Sequence, residues 1–511
     1  MSIASRQKAQ NCPGAMALAD ERQTLTWAQL DDVLNRAANA LLDMDLGRDK
    51  RVAVYAENSA ETVIAHLAAI TVGVSTVPVN FHLTAAEVAY ILRDSGAAAL
   101  FVGPENAETG VKAATDVGVA AVIGWRCDAE PPLVRWDDWL GDAASTEPPS
   151  DMPPKPFLHY TSGTTGRPKA TETPPQSFPG GTSVAEHFDR LVSPAADGPA
   201  LVVSPLYHTG TLGFVRVLGT GTPLVVLGRF DAERTLWAID TFGVATTMMV
   251  PTHFQRLLKL PTEIRNKYDT STLQQVAHTG AACPVDVKRR MIEWLGPVLV
   301  EAYGATESGT TNAITSQEWL EHPGSVGKTL PPFELLVVDD DGRELGPKEV
   351  GQLYFRDTTG RGIVYANDPD KTRAAHLAPG VFTLGEMGYH DEDGYLYITD
   401  RVSDMVVSGG VNIYPAETEL VLLEHPAVGD VAVIGVPNPE MGEELKALIV
   451  PSNLDDPPAT EELDRYCRER LAGYKRPRSY DIVDDIGRNS MGKVNKRLLR
   501  APYWPTDRTI G

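Results

Sequence analysis

Apolar positions recur at helical spacing over residues 27–46 and then crowd into short β-like runs at 51–55 and 75–79. The first 150 residues therefore predict the alternation of helices and strands that builds a layered α/β sheet. The long uncharged stretch 62–86 is interrupted by His66, Thr71, Gly73, Ser75, Pro78 and Asn80, which fits a buried helix, strand and turn rather than a membrane span. Between 273 and 304 one unit is unusually clear: a strand at 276–279, a turn at Gly280, a helix opened by Pro284 and stopped near Gly296, and a second strand at 298–303. It reads as βαβ, with its loops at the strand C-termini where α/β proteins bind ligands. After Thr399 the pattern changes to a compact α+β module. There Pro415 opens a helix, 431–436 and 446–450 are strands, and Thr460 caps a helix whose Leu463, Tyr466, Cys467 and Leu471 share one face as far as Gly473.

A chain of 511 residues exceeds what one hydrophobic core serves. The expected organisation is an α/β protein with a large layered N-terminal domain, 1–402, and a small mobile α+β C-terminal domain, 403–511. A formal charge of -22, from 46 basic and 68 acidic residues, argues against a nucleic-acid partner or an anionic membrane surface. Any anionic ligand must instead meet a local cluster of basic groups. Cys12, Cys127, Cys283 and Cys467 are scattered without metal-ligand spacing, and the N-terminus has no apolar core behind its basic residues. A reduced, cytoplasmic protein with no structural metal and no integral membrane segment is expected.

Four stretches carry chemistry. Tyr160, Thr161, Ser162, Gly163, Thr164, Thr165, Gly166, Arg167, Pro168 and Lys169 follow a β-like run and pack hydroxyls, glycines and two cations into one turn. Those are the ingredients of a polyphosphate cradle, although the same composition also suits a solvated loop. The Walker A spacing is absent. Glu301 to Gly309 ends the βαβ unit, so Thr306 and Glu307 can face a ligand; Glu307 suits Mg²⁺ as a hard oxygen donor, or is a surface carboxylate on a tight turn. Thr399 to Asp404 followed by Ser408, Gly409 and Gly410 suits a hinge as well as a ligand contact. The fourth, Asn489 to Arg497, is a basic segment near the terminus of an acidic chain, which taken alone is a solvated tail.

In this order and at these separations the four stretches resemble the adenylate-forming superfamily of acyl-CoA synthetases, peptide-synthetase adenylation domains and firefly luciferases, over essentially the whole chain. The resemblance implies that Thr161, Ser162, Gly163, Thr164, Thr165, Gly166 and Lys169 hold the β- and γ-phosphates of ATP. It further implies that Glu307 binds Mg²⁺ and Thr306 an α-phosphate oxygen, that Gly280, Ala281 and Ala282 form the adenine-side turn, and that Tyr303, beside Gly304, stacks on the base. Arg401 and Glu386 would contact the ribose, and Lys493 would reach both the substrate carboxylate and the α-phosphate. Asp404 would be the pivot, with Gly409, Gly410 and Lys475 on the hinge and CoA side. His208 matches a His-containing acyl-pocket motif, though as a lone histidine beside Tyr207 it also reads as packed core.

The other acyl-pocket walls expected are Tyr207, Thr209, Leu212, Met249, Val250, Pro251, His278 and Ala305. They are mostly apolar and include no evident basic residue for a second carboxylate, so a hydrophobic acid is expected. Two departures from the family pattern stand out: Leu384-Gly385-Glu386 replaces Thr-Gly-Asp, and Ala170 to Pro175 replaces a glycine and His-capped helix.

The implied activity is an ATP-dependent acyl-CoA ligase that forms an acyl-AMP, releases pyrophosphate and passes the acyl group to CoA, with ATP, Mg²⁺ and CoA as cofactors. The texture is most similar to bacterial fatty-acid or steroid-side-chain CoA ligases. Its partners would be the small carboxylic acid, ATP and CoA, with no nucleic acid; homo-oligomeric assembly is left open. The short tail after Arg497 and the lack of a fused carrier domain favour free CoA over a stand-alone enzyme loading a separate carrier protein. A non-catalytic nucleotide-binding scaffold is the alternative of another class, opposed by the retention of Lys493, Glu307 and the hydroxyl-rich loop together.

Overall fold

A helix apolar on every side has to be covered on every side, and all residues of Ala60–Thr71 are buried. In the computed structural model, which describes residues 3–504 apart from 48–49, 120, 129–130, 142, 162–167, 192–195, 340, 402–403, 409–410, 440 and 490–491, this helix is packed with Trp27–Leu42 and Thr209–Gly219 between two sheets. The core they share draws Val52, Val54 and Phe101 from one sheet and Ala200, Val202 and Val226 from the other. The Ser59 hydroxyl accepts from Thr62 N and caps the helix at its start. No described helix is long and apolar enough to cross a membrane.

The first sheet is parallel throughout, in the order Ser75–Pro78, Arg51–Tyr55, Ala99–Val102, Ala121–Gly124, Leu133–Arg135. The second, of nine strands, runs parallel through its middle: Ala200–Val202, Thr246–Met249, Gln275–His278 and Leu299–Ala305 lie side by side, and Gly309–Thr315 turns back antiparallel. The βαβ unit expected near residue 280 is present as Gln275–His278, helix Val285–Leu295 between Pro284 and Gly296, and Leu299–Ala305. It is clamped by a buried ion pair. Lys288 on the helix meets Glu301 on the strand at 2.5 Å, the Lys288 ammonium stands 4.8 Å over the Trp319 ring, and His278 Nε2 lies 3.7 Å from the same carboxylate.

A six-stranded antiparallel sheet ending in Leu396–Arg401 completes the large part of the chain. The smaller C-terminal domain is a separate sheet, with Gly442–Pro451 paired to the long strand Val428–Asn438 and, in parallel, to Ser479–Ile482. Helices Pro415–Leu423 and Thr460–Arg470 pack on it around Leu422, Leu463 and Cys467. Two boundaries differ from the sequence reading. The first long helix stops at Leu42, where Asp43 forms the C-cap. In the last, Ala459 is the N-cap, because Thr460 has already entered the helix.

Candidate active site

Where the parallel strands of the nine-stranded sheet end, a cleft of about 880 Å³ opens, lined by both parts of the chain. Tyr207, His208, Thr209, Thr306 and Ala305 come from the large domain, and Asn489 and Lys493 from the small one. Alternation along the strands decides what the floor is made of. Met248 and Ala277 are neighbours in register and face the cleft, whereas Met249 and His278, the next pair in register, face the other way. Met249 is buried in the core beneath the sheet, and His278 is fully buried against Phe254 and Glu301. The expectation that Met249 and His278 line an acyl pocket is therefore off by one position on each strand. Leu212 and Val250 likewise belong to the core.

At one end of the cleft Thr161 closes strand Leu158–Thr161, and its hydroxyl lies 3.3 Å from Glu307 Oε1. Ser162, Gly163, Thr164, Thr165 and Gly166 lie outside the described residues. Lys169, on the returning strand Lys169–Glu172, forms an ion pair with Asp368. Asp368 also caps helix Pro369–Ala374 by accepting from Lys371 N at 2.9 Å. The Lys371 ammonium stands 4.0 Å over the Tyr365 ring, and burial together with the nearby Glu307 carboxylate raises the Tyr365 phenol. Lys371 is thus near the Glu307 carboxylate, and Lys169 stands opposite Thr161 in the hairpin. Tyr365, Asp368 and Lys371 were not anticipated from the sequence, where nothing local marks them.

His208 precedes helix Thr209–Gly219, and the Thr209 hydroxyl donates to Thr306 Oγ1 at 3.2 Å. Its low-dielectric surroundings, then the Lys493 ammonium, hold the His208 imidazole down to about 3, so it is neutral at pH 7. Lys493 and His208 line the same cleft, so the small domain closes over it. The loop carrying Lys493 is tied down by Arg488, whose Nη1 donates to the Gly492 carbonyl at 2.6 Å while Nε and Nη2 grip Asp430 at 2.5 and 2.7 Å. Asn489 closes the loop: its Oδ1 accepts from Lys493 N at 2.9 Å.

Gly280, at φ +90°, lines the cleft at the turn after Gln275–His278; Ala281 and the exposed Ala282 continue that turn. Gly304 also lines it, in a hairpin so tight that a Cβ there would strike the Gly309 carbonyl. Tyr303 points to the opposite side, near Phe355, and its hydroxyl donates to Glu386 Oε2 at 3.0 Å. Glu386 stands opposite Arg401 in the antiparallel register, which brings these three positions together.

The junction between the two domains is knitted by carboxylates. Asp400, on the last strand of the large domain, accepts from Ala416 N at 3.0 Å and so caps helix Pro415–Leu423, for which Tyr414 provides no side-chain cap. Lys496 pairs with Glu419 at 2.8 Å, and Glu419, then Asp400, then Asp404 favour its charge against burial. Gly409 and Gly410 lie outside the described residues. Lys475 forms an ion pair with Glu417 at the side of the small domain, and its carbonyl accepts from the Thr418 hydroxyl at 2.7 Å.

One lining residue reverses a sequence reading. Arg216 faces the cleft from helix Thr209–Gly219, so the pocket does contain a basic group. Its signal was present: a lone cation amid Leu212, Phe214, Val215, Val217 and Leu218 has to find a partner or a cavity.

The chain matches the family described as AMP-binding enzyme over residues 5–362, and the AMP-binding enzyme C-terminal domain over 417–493. It belongs to the AMP-binding enzymes. Within this adenylate-forming group it is 32% identical over 508 residues to the fatty acid–[acyl-carrier-protein] ligase ScoC of Streptomyces coeruleorubidus, covering 97% of this chain and 95% of that one. It is 33% identical to a feruloyl-CoA synthase of an Amycolatopsis species, covering 97% and 98%. Among AMP-binding enzymes of known structure, the o-succinylbenzoate CoA synthetase of Bacillus subtilis in complex with its acyl-adenylate superposes with a TM-score of 0.79 at 27% identity, covering 98% of each chain. The chain is an acid–thiol ligase of the AMP-forming type.

Proposed function

We propose that this enzyme adenylates a small carboxylic acid with ATP and transfers the acyl group to coenzyme A. The observation that carries the reading is the meeting of Lys493 with His208, Thr306 and Thr161 in one cleft, with Glu307 held behind the Thr161 hydroxyl, since of these only Lys493 comes from the small domain. A substrate carboxylate oxygen attacks the α-phosphorus of ATP, forming the mixed anhydride as the bond to the β-phosphate oxygen breaks and pyrophosphate leaves. Two anions must approach each other, and Lys493 offsets their repulsion and the charge that grows on the phosphorus. Thr306 offers a hydroxyl to the α-phosphate, Lys169 and Lys371 face the leaving phosphates, and Arg401 and Glu386 take the ribose side.

Glu307 and the Thr161 hydroxyl are hard oxygen donors within 3.3 Å of each other and fit Mg²⁺. When bound, that ion supplies further neutralisation of the phosphates. His208, held neutral, adds no second cation beside Lys493 and can hydrogen-bond the acid.

In the second step the CoA thiolate attacks the acyl carbon, a C–S bond forms and AMP departs. Lys493 has then done its work, and we assign 1–402 and 403–511 as the two bodies that part about Asp404 to admit the thiol. The four cysteines, none in a disulfide, suit the reducing cytoplasm.

The relative named as a CoA synthase supports CoA as acceptor, and the one named as a carrier-protein ligase supports the alternative. Pyrophosphate release with Mg-ATP and a panel of acids, with and without CoA or a phosphopantetheinylated carrier, followed by mass spectrometry, separates them. Acyl-CoA product sustains the proposal; transfer only to the carrier replaces it, and silence across the panel points to a non-catalytic scaffold.

A further inference from the structure

Helix Thr209–Gly219 forms one wall of the cleft, presenting Thr209, Gly210, Gly213 and Arg216 to it in turn. The glycines let two side chains of the cleft lie close against the helix. A Cβ at Gly210 would stand 2.8 Å from the Met248 sulfur, and one at Gly213 would stand 3.5 Å from Arg216 Nη2. The cleft runs along the helix from His208 to the guanidinium, and both residues line it. At a rise of about 1.5 Å per residue the two Cα atoms are roughly 12 Å apart along the axis.

Arg216 is an odd occupant for such a place. It is 8% exposed, its Nε has no hydrogen-bond partner, and Nη1 donates to the Ser177 carbonyl. Its guanidinium carbon lies 5.7 and 5.8 Å from the Phe157 and Phe178 ring centroids. Among the described residues no carboxylate lies within ion-pair distance. Burial alone lowers its pKa to about 10, so it stays charged at neutral pH. The histidines nearby stay neutral and add no further positive charge: His159 is held to about 3 and His187 to about 4, by burial first and by Arg216 second. A desolvated cation that lines a cavity and has no carboxylate partner among the described residues is complementary to an oxygen acceptor from a ligand.

We propose that Arg216 is a specificity-determining residue that binds an oxygen acceptor, a second carboxylate or a ketone, at the end of the substrate acid remote from the adenylated carboxylate. The body of the acid lies against Gly210, Gly213, Met248 and Ala277, and its length is read between His208 and Arg216. This deepens, and rests on, the adenylation reading above, and it replaces the wholly hydrophobic acid expected from the sequence.

The test is pyrophosphate release by the full chain with Mg-ATP across three matched series of rising chain length: plain alkanoic acids, α,ω-diacids and ω-oxo acids. The expected result is a higher kcat/KM for diacids or oxo acids than for alkanoic acids, with a single optimum in length. Arg216→Met is expected to lower the ratio of kcat/KM for the best of these over its plain counterpart by roughly 10- to 100-fold. Preference of the diacid over the oxo acid identifies the acceptor as anionic; the reverse identifies it as a carbonyl. Plain acids preferred at every length, or a ratio unmoved in Arg216→Met, overturn the proposal while leaving adenylation standing. Silence with every acid overturns the adenylation reading and this one with it. If Arg216→Met does not fold, the length and class profile of the unaltered enzyme still decides.

Discussion

A Cβ on Gly492 would lie 2.8 Å from Cγ2 of Thr252, so the small-domain loop that carries Lys493 closes onto helix Pro251–Lys259 with no room for a side chain. Gly492 also sits at φ +73°, where an L-residue is strained by about 1–2 kcal/mol. Gly492→Ala is expected to slow adenylation by about 100-fold through displacement of the neighbouring ammonium. Thr252→Ala removes the crowded methyl and hydroxyl and should recover part of that loss, which a double-mutant cycle on pyrophosphate release will measure.

Lys493→Ala is expected to reduce adenylation by about 10²- to 10³-fold, the usual effect of losing one contact to developing charge. Thioester formation from supplied acyl-AMP should be spared, because that step does not need the ammonium. Equal loss of both half-reactions would remove Lys493 from the first step.

The Lys288–Glu301 pair anchors the strand that leads to Tyr303, Thr306 and Glu307. Burial opposes charge on both partners, lowering the lysine and raising the glutamate, and each holds its charge through the other. Lys288→Met leaves a buried carboxylate alone and is expected to cost about 3–5 kcal/mol in urea unfolding, whereas Lys288→Met with Glu301→Leu should regain most of it.

Acid should weaken the fold in a defined window. His66, 1% exposed and bonded to the Thr76 hydroxyl, and His253, 4% exposed and stacked on Phe230, are both held down to about 3 by burial. An unfolded histidine titrates near 6.5, so below that pH the unfolded chain takes up protons that the folded one refuses. The stability contributed by each neutral ring is complete above about 6.5 and is lost as pH falls toward 3, amounting to about 2 kcal/mol per ring at pH 5. His253→Phe should flatten the change in unfolding free energy between pH 7 and pH 5 by about that amount.

Elements with strong local signals were legible without coordinates. Residues 51–55, the Pro284-to-Gly296 helix and the Pro415 helix are all found, because their periodicity and caps lie within a few residues of one another. The floor of the cleft was not. Deciding between Met248 and Met249, or Ala277 and His278, needs the parity of a strand buried on both faces, which an apolar run does not encode. Asp368 was invisible for another reason: its meeting with Lys169 depends on a fold-back across 199 positions, and Lys371 follows on the helix that Asp368 caps. Arg216 stands in the sequence as a charge within an apolar helix, but which wall of the fold that helix faces depends on tertiary packing.

The carboxylate of Asp400 has a further consequence. It belongs to a strand of one domain yet furnishes the first turn of a helix in the other. Rotation that separates the two exposes the Ala416 amide to water and loosens the Lys496 cluster at the same time, so the joint has a preferred rest position and is no slack tether. In the proposed cycle catalysis begins from a latched state, and each turnover springs that latch before the thiol enters and resets it before the next molecule of ATP is used.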